Sequence, residues 1–364
     1  MAKDSSKKTK TGSAKTVSPK TVASKSSSSR LTKMEQLAEI AGVSVSTVSR
    51  ALAGNPLINQ KTRGRIVELA AKHNYQINEK ARNFRLQKTN VIAVVLMLDV
   101  KSEQHISDMF FLEMLGAIAD ALSAQNYDLL LAHSPVGNVM DVYNSRTFGQ
   151  SDGIIFIGQG NQHKQLNEFA ALNKPMVVWG SNLPNRDYCI VGADNVVGGY
   201  LATKHLLNLG RKEIVFMGDI NMPEPKQRFE GYLKALKEKG VKFNKQLQVD
   251  VPFEMSHASE AINDLLQQKI HFDGAVCCSD LIALSAIAAL TESGLRVPED
   301  VAVVGYDDIA LASYSSPSLT TVRQNIVQGG RILVQKLMAQ INGDTVADSV
   351  LKTELIVRRS SGAW

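Results

Sequence analysis

Seven continuous apolar runs alternate with amphipathic stretches between Asn90 and Tyr306, and no other feature restricts the fold of this 364-residue chain so tightly. The runs are VIAVVL (91–96), YDLLLA (127–132), GIIFIG (153–158), PMVVWG (175–180), EIVFMG (213–218), GAVCCS (274–279) and VAVVGY (301–306). A half-exposed strand alternates apolar and polar residues. A strand apolar throughout must be covered on both faces, as in a parallel sheet flanked by helices. Helical spacing of apolar residues over 111–125, 198–209, 229–238, 256–268 and 281–293 supplies those covers. The alternation predicts a doubly wound α/β body from residue 90 onward. Asp152-Gly-Ile-Ile and Asp273-Gly-Ala-Val open two of the strands alike, an echo that hints at two similar halves.

The segment before residue 90 has a different texture. In LAEIAGVSVSTVSRAL (37–52) an i, i+3, i+4 apolar pattern is interrupted at Gly42 and resumes at Val45, Val48 and Leu52. Gly42 can take the positive φ that ends one helix and lets another start at a steep angle. Ser44 is placed to cap the second helix. With Val45 and Val48 inward, Ser46, Thr47, Ser49 and Arg50 form an outer face of small hydroxyls and one long cation. Such a face suits base edges and phosphates, so 45–52 reads as the recognition helix of a helix-turn-helix. Thr32 and Glu35 have the spacing of a capping box for the first helix, and Asn59 is the expected cap of a third carrying Ile66, Leu69, Ala70 and His73 on one face. Beyond it, NEKARNFR (78–85) sets a lone Phe84 among Lys80, Arg82 and Arg85. An apolar residue flanked by cations is how DNA-bending proteins wedge into the minor groove.

Charge separates the same regions. Residues 1–30 hold eight Lys/Arg and one acid, 31–89 hold ten and four, and the remainder holds 23 basic and 30 acidic residues. A positive front on a mildly acidic body fits a DNA-binding head joined to a domain that does not itself adhere to DNA. Residues 1–30, nearly all Lys, Ser, Thr, Ala and Gly, cannot bury enough surface to offset ordering and are expected to be a disordered basic tail. That tail serves equally as weak phosphate attraction or as a solubiliser.

The exclusions are as informative. No apolar run approaches the ~20 residues of a membrane span, and no secretory signal follows the N-terminal lysines, so a cytoplasmic protein is expected. Cys189 stands alone, while adjacent Cys277 and Cys278 cannot form an ordinary bridge. The seven histidines lack metal-ligand spacing. No metal site and no cofactor are expected.

In doubly wound sheets ligands sit beyond the carboxyl ends of the strands. Trp179-Gly180, Asp219, Ser279-Asp280 and Asp307-Asp308 lie there, with Arg228 and Phe253 in expected loops. Aromatic faces together with Asp and Arg suit a polyhydroxylated ring. Each has a plainer use: Asp280 as a helix cap, Asp307-Asp308 as a turn, Trp179 as core.

From Met34 to Arg359 the chain resembles the lactose-repressor (LacI/GalR) family of transcription regulators. AGVSVSTVSRAL (41–52), HNYQINEKARNFR (73–85) and VPEDVAVVGYDDIALASYSSPSLTTVRQN (297–325) carry the likeness. The resemblance implies a three-helix helix-turn-helix head (31–77), a hinge helix with linker (78–89), and a two-lobed α/β body like a periplasmic sugar-binding protein (90–364). The lobes would be roughly 90–190 plus 320–364, and 191–319, joined by three chain crossings. It implies DNA contacts from Val45, Ser46, Thr47 and Arg50, and from Asn78, Arg82 and Phe84 of the hinge. Phe84 replaces the family's usual leucine wedge. Ile77 stands where proline is usual, and Lys33-x-x-Gln36 replaces Thr-x-x-Asp at the first helix, with Thr32 and Glu35 expected to cap instead. For the effector site it implies the clamp Arg228, the hydroxyl-binding Asp307, and Phe110, Phe111, Trp179, Phe253, Ser279 and Gln324 as pocket residues. Ser279 takes a position often held by Asn. No leucine heptad precedes Trp364, which points to a homodimer rather than a tetramer.

The expectation is a repressor that binds a palindromic DNA operator as a dimer and releases it on binding a mono- or disaccharide. A nucleobase, nucleoside or corepressor is the alternative within the same class, and a protein coregulator a further variant. A sugar-processing enzyme or a transport-type binding protein is the remote one. Adjacent Asp307 and Asp308 cannot easily flank a glycosidic bond, which needs carboxyls ~5 to 9 Å apart. No nucleophile elbow or phosphate loop is present.

Overall fold

The computed structural model describes residues 33–75, 88–98, 104–133, 139–253 and 255–362. The expected tail and residues 78–87 of the expected hinge, with Asn78, Arg82 and Phe84, lie outside them. The chain divides into two compact units, a helical one within 33–75 and an α/β one within 88–362.

The helical unit consists of α1 (Met34–Ala41), α2 (Val45–Leu52) and α3 (Gln60–Lys72). Leu37, Ala41, Val48, Ala51 and Ile66 are buried at its centre, and each larger side chain among them contributes about 1.5–3 kcal/mol by leaving water. Gly42 ends α1 at φ 63°. Ser44 caps α2 by accepting the Thr47 N–H at 3.2 Å, and Asn59 caps α3 by accepting that of Lys61 at 2.8 Å. Arg65 of α3 donates to the last carbonyl of α1, that of Ala41. The start of α1 corrects the sequence reading. Lys33, not Thr32, is the cap residue, and its backbone N–H donates to Gln36 Oε1 at 3.3 Å. A lysine side chain cannot accept a hydrogen bond, so only the reciprocal half of a capping box forms.

The α/β unit is two lobes of like topology. The first carries β1 (Val91–Leu96), α4 (Met109–Ser123), β2 (Asp128–His133), α5 (Val139–Asn144), α6 (Arg146–Gly149), β3 (Gly153–Ile157), α7 (His163–Ala170), β4 (Met176–Trp179) and β5 (Cys189–Ala193). The second carries α8 (Asn195–Asn208), β6 (Ile214–Met217), α9 (Pro223–Glu238), β7 (Gln248–Val249), α10 (Met255–Gln267), β8 (Gly274–Cys277), α11 (Asp280–Glu292), β9 (Ala302–Asp307), α12 (Ala310–Tyr314) and β10 (Thr320–Arg323). Then α13 (Ile326–Ile341) and β11 (Ser349–Leu351) return to the first lobe, and β12 (Glu354–Ile356) to the second. The sheets run β11-β5-β4-β3-β1-β2 and β12-β10-β9-β8-β6-β7, parallel except where β12 pairs antiparallel to β10. All seven expected strands are present; six are buried as expected, whereas β2, at the edge of its sheet, is half-exposed and leaves Leu131 at the surface.

The halves also begin their sheets in the same way. Asp152 accepts the backbone N–H groups of Thr89 and Asn90 at 2.6 and 2.9 Å, just before β1. Asp273 accepts those of Lys212 and Glu213 at 3.0 Å, just before β6. The two Asp-Gly motifs are one device used twice.

The expected lobe boundaries need correction. Strand β10 and everything from β12 onward belong to the second sheet, so the crossings fall at Asp194, at Gln324–Asn325 and at Lys352–Thr353. Asp194 caps α8 and Asn325 caps α13, so two crossings double as helix starts.

Candidate ligand cavity and recognition helix

Between the lobes lies a cavity of about 460 Å³, within the range of small-molecule sites. All eight expected pocket residues line it: Phe110, Phe111, Trp179, Arg228, Phe253, Ser279, Asp307 and Gln324. From the first lobe, Asp108 caps α4 by accepting the Phe110 N–H at 2.9 Å, which fixes where the two phenylalanines project. Phe110 stands 5.6 Å from Phe111 and 6.2 Å from Trp179, centroid to centroid, so the three rings form one apolar wall. Trp179 is both core and wall. It closes β4 and packs so tightly on α13 that a Cβ at Gly329 would lie 2.3 Å from the indole.

Arg228 comes from the second lobe, and its location is a correction: it is not in a loop but inside α9, which begins at Pro223. Its Nε donates to Asn195 Oδ1 at 2.9 Å and its Nη1 to the carbonyl of Cys278. The guanidinium stacks on Tyr306 at 3.6 Å from the ring centroid. Glycines make this placement possible. A Cβ at Gly199 of α8 would lie 2.0 Å from the Arg228 carbonyl oxygen, so the two helices cross at backbone contact.

Asp307 ends β9 with φ 117°, outside the regions open to side chains without strain, at a cost of order 1–3 kcal/mol. Two clamps hold that turn. Gln324 donates to the Asp307 carboxylate, and Asp308 takes Arg323 Nε and Arg358 Nη2, both at 2.6 Å. Asp308 is thus a structural counter-ion, and Asp307 alone of the pair reaches the cavity. Burial, reinforced by Asp108 and Glu113 and opposed by Arg228 and Gln324, pushes the Asp307 carboxyl up to about 7.

Asp280 is neither helix cap nor cavity residue. Ser279 caps α11 by accepting the Ile282 N–H at 3.2 Å. Asp280 is wholly buried, accepting the Ile309 N–H at 2.9 Å and the Thr321 hydroxyl, and burial holds its carboxyl well above its usual range.

Several lining residues escaped the sequence reading. Gln159, on the loop after β3, donates to the Ser181 carbonyl and the Tyr188 hydroxyl and accepts the Ser181 N–H. Tyr188 in turn meets His163 at 2.8 Å. The strand-end rule that located Trp179 would have found it. Glu224, four residues before Arg228 on α9, also lines the cavity. Hydrogen bonds that bridge the lobes include Ala310 N–H to Glu113 Oε1 at 2.9 Å, Gln227 Nε2 to the Asn182 carbonyl at 3.1 Å, and Asn195 Nδ2 to Ser181 Oγ at 3.2 Å.

On α2, Val48 is buried, Val45 and Thr47 are half-buried, and Ser46 and Arg50 are exposed. The Ser44 hydroxyl lies 2.8 Å from those of both Ser46 and Thr47. Among the described residues no group of His, Cys, Asp or Glu is arranged to hold a metal ion, and no helix is long and apolar enough to cross a membrane.

Comparison with known proteins accounts for both units. Residues 33–78 match the model of the bacterial regulatory proteins of the lacI family, and residues 203–361 that of periplasmic binding protein-like domains. The HTH-type transcriptional repressor PurR of Pasteurella multocida is 30% identical, over 91% of this chain and 98% of its own. The ribose operon repressor of Haemophilus influenzae is 28% identical with the same coverage. Among solved structures, the complex of the transcriptional regulator CelR with cellobiose superposes with a TM-score of 0.68 at 28% identity, over 91% of this chain and all of that one. The chain belongs to the lacI family of bacterial regulatory proteins and is a DNA-binding transcriptional repressor, not an enzyme.

Proposed function

We propose that this repressor acts as a homodimer on a palindromic operator and releases it when a neutral mono- or disaccharide enters the cavity between the lobes. The observation that carries the reading is the meeting, in one cavity, of an aromatic wall (Phe110, Trp179) with Asp307 and Arg228. Aromatic faces cover the C–H faces of a sugar, while a carboxylate and a guanidinium hold neighbouring hydroxyls. The likeness to a cellobiose-bound regulator supports it. Arg50, Ser46, Thr47 and Val45 present the base-reading face, and Asn78, Arg82 and Phe84 are assigned to the hinge contacts. Closure of the lobes on a ligand would bias the linker before Thr89 and so weaken DNA binding. By linkage DNA must weaken the ligand equally.

A nucleobase or nucleoside is the second reading. The same wall stacks on a flat base, and the PurR relative is no less similar than the two sugar-named ones. A thermal-shift screen of the full-length protein against sugars, nucleobases and nucleosides separates the two. A ligand at a hundred times its Kd stabilises by ~2.7 kcal/mol. Stabilisation by one stereoisomer among the sugars is expected, and stabilisation by bases alone would favour the second reading.

A further inference from the structure

We infer that the cavity selects an uncharged polyhydroxylated ligand against its phosphorylated or carboxylated counterparts, and that Glu224 is the side chain enforcing this choice. The inference rests on the reading of this cavity as the effector site. Among the described residues, four acidic side chains, Asp108, Asp219, Glu224 and Asp307, line it against one cation, Arg228. That cation is already engaged by Asn195, by the Cys278 carbonyl and by the Tyr306 ring. An anionic group entering the cavity would therefore meet a lining of carboxyl oxygens that its own charge keeps from ionising, with one shared guanidinium to balance it.

Glu224 is singled out by geometry. It is the second residue of α9, one turn before Arg228 on the same helix. Its Oε1 is enclosed and has no hydrogen-bond partner. A buried acceptor left unmade is costly, and a hydroxyl-bearing ligand can supply the missing donor. A phosphate dianion or a carboxylate has no proton to give at neutral pH and adds repulsion instead. Burial raises the Glu224 carboxyl, while its own backbone N–H, the Arg228 guanidinium and the Ser181 N–H draw it down, so only Oε1 of the carboxyl is left for a ligand donor.

Isothermal titration of the full-length protein with matched pairs tests this: glucose and glucose 6-phosphate, cellobiose and cellobiose 6-phosphate, ribose and ribose 5-phosphate, adenosine and AMP. The neutral member of a pair is expected to bind, and its anionic partner at least 100-fold more weakly. Glu224→Gln is expected to narrow that gap at least tenfold. An anionic member binding as tightly as its neutral partner overturns the inference, as does an unchanged ratio in Glu224→Gln. Adenosine bound with AMP refused, and no sugar bound, sinks the sugar reading and leaves the charge selection standing. Inorganic phosphate alone, followed by Trp179 emission in a Trp364→Phe background, supplies an arm that needs no identified effector. No saturable quenching is expected with Glu224 and Asp219 intact, and saturable quenching is expected in the Glu224→Gln/Asp219→Asn variant. Quenching with both acids intact, or none in the double variant, overturns the inference.

Discussion

Arg228 lies flat on Tyr306, its guanidinium carbon 3.6 Å from the ring centroid, while Nε and Nη1 are held by Asn195 and Cys278. A planar, delocalised cation can stack and donate along its edge at once, and an ammonium cannot. The ring and the helix crossing at Gly199 together fix where the remaining N–H groups point.

Arg228→Lys is therefore not a conservative change. It keeps the charge and loses both the stack and the fork. Titration calorimetry with the identified ligand is expected to show affinity lowered by at least tenfold, about 1.4 kcal/mol or more. Affinity within twofold of the parent would mean that charge alone matters at this position.

Asp307 sets a pH dependence. Its folded value of about 7 lies above the ordinary carboxylate value of 3.8. Between about pH 4 and 7 the unfolded chain releases this proton while the folded chain retains it. The stability Asp307 contributes is thus full below that window, falls as pH rises through it, and levels off above 7. Urea unfolding at a series of pH values is expected to show this decline in the parent and a shallower one in Asp307→Asn. Parallel curves would remove Asp307 as its source.

The paired aspartates at the sheet starts separate stability from coupling. Asp152→Ala and Asp273→Ala each delete two backbone hydrogen bonds to a carboxylate worth roughly 1.5–3 kcal/mol apiece, so each is expected to cost about 3–6 kcal/mol in urea unfolding. Asp152 alone grips Thr89 and Asn90, next to the linker. Only its variant is expected to reduce the ligand's effect on operator affinity. An equal reduction in both variants would trace the effect to general loosening.

In the head, Arg50→Ala is expected to cost about 1–3 kcal/mol on the preferred operator and to flatten discrimination between bases, read by fluorescence anisotropy on single-substitution duplexes. Unchanged selectivity would take Arg50 off the reading face. Ser44→Ala, which removes the cap on Thr47, is expected to lower head stability by about 1 kcal/mol.

Where the sequence misled, the cause was local. Strand β10, TTVR, looks polar because Thr320 and Thr321 are buried with partners far along the chain: Ser361, the Arg358 carbonyl and Asp280. Helical spacing of apolar residues is legible only from residue 229, so the first turns of α9, which open on Pro223 and Pro225, went unread although the first turn of a helix tolerates proline. That omission put Arg228 in a loop and concealed Glu224 one turn earlier. Asp280 could not be assigned from its neighbours, since its partners Ile309 and Thr321 lie 29 and 41 residues away. The apolar strands and the Gly42 turn were legible because each rests on residues adjacent in the chain. The eight expected cavity residues came from the strand-end rule and from the family likeness together, and they line one space.

The most direct test of the account is the anisotropy of a labelled duplex, selected from a random library by the full-length protein, titrated with neutral saccharides. The account predicts that one saccharide releases the DNA in a saturable way, and that Asp307→Ala abolishes the response. Release by a nucleobase with every sugar inert, or tight sugar binding that leaves DNA affinity unchanged, would contradict it.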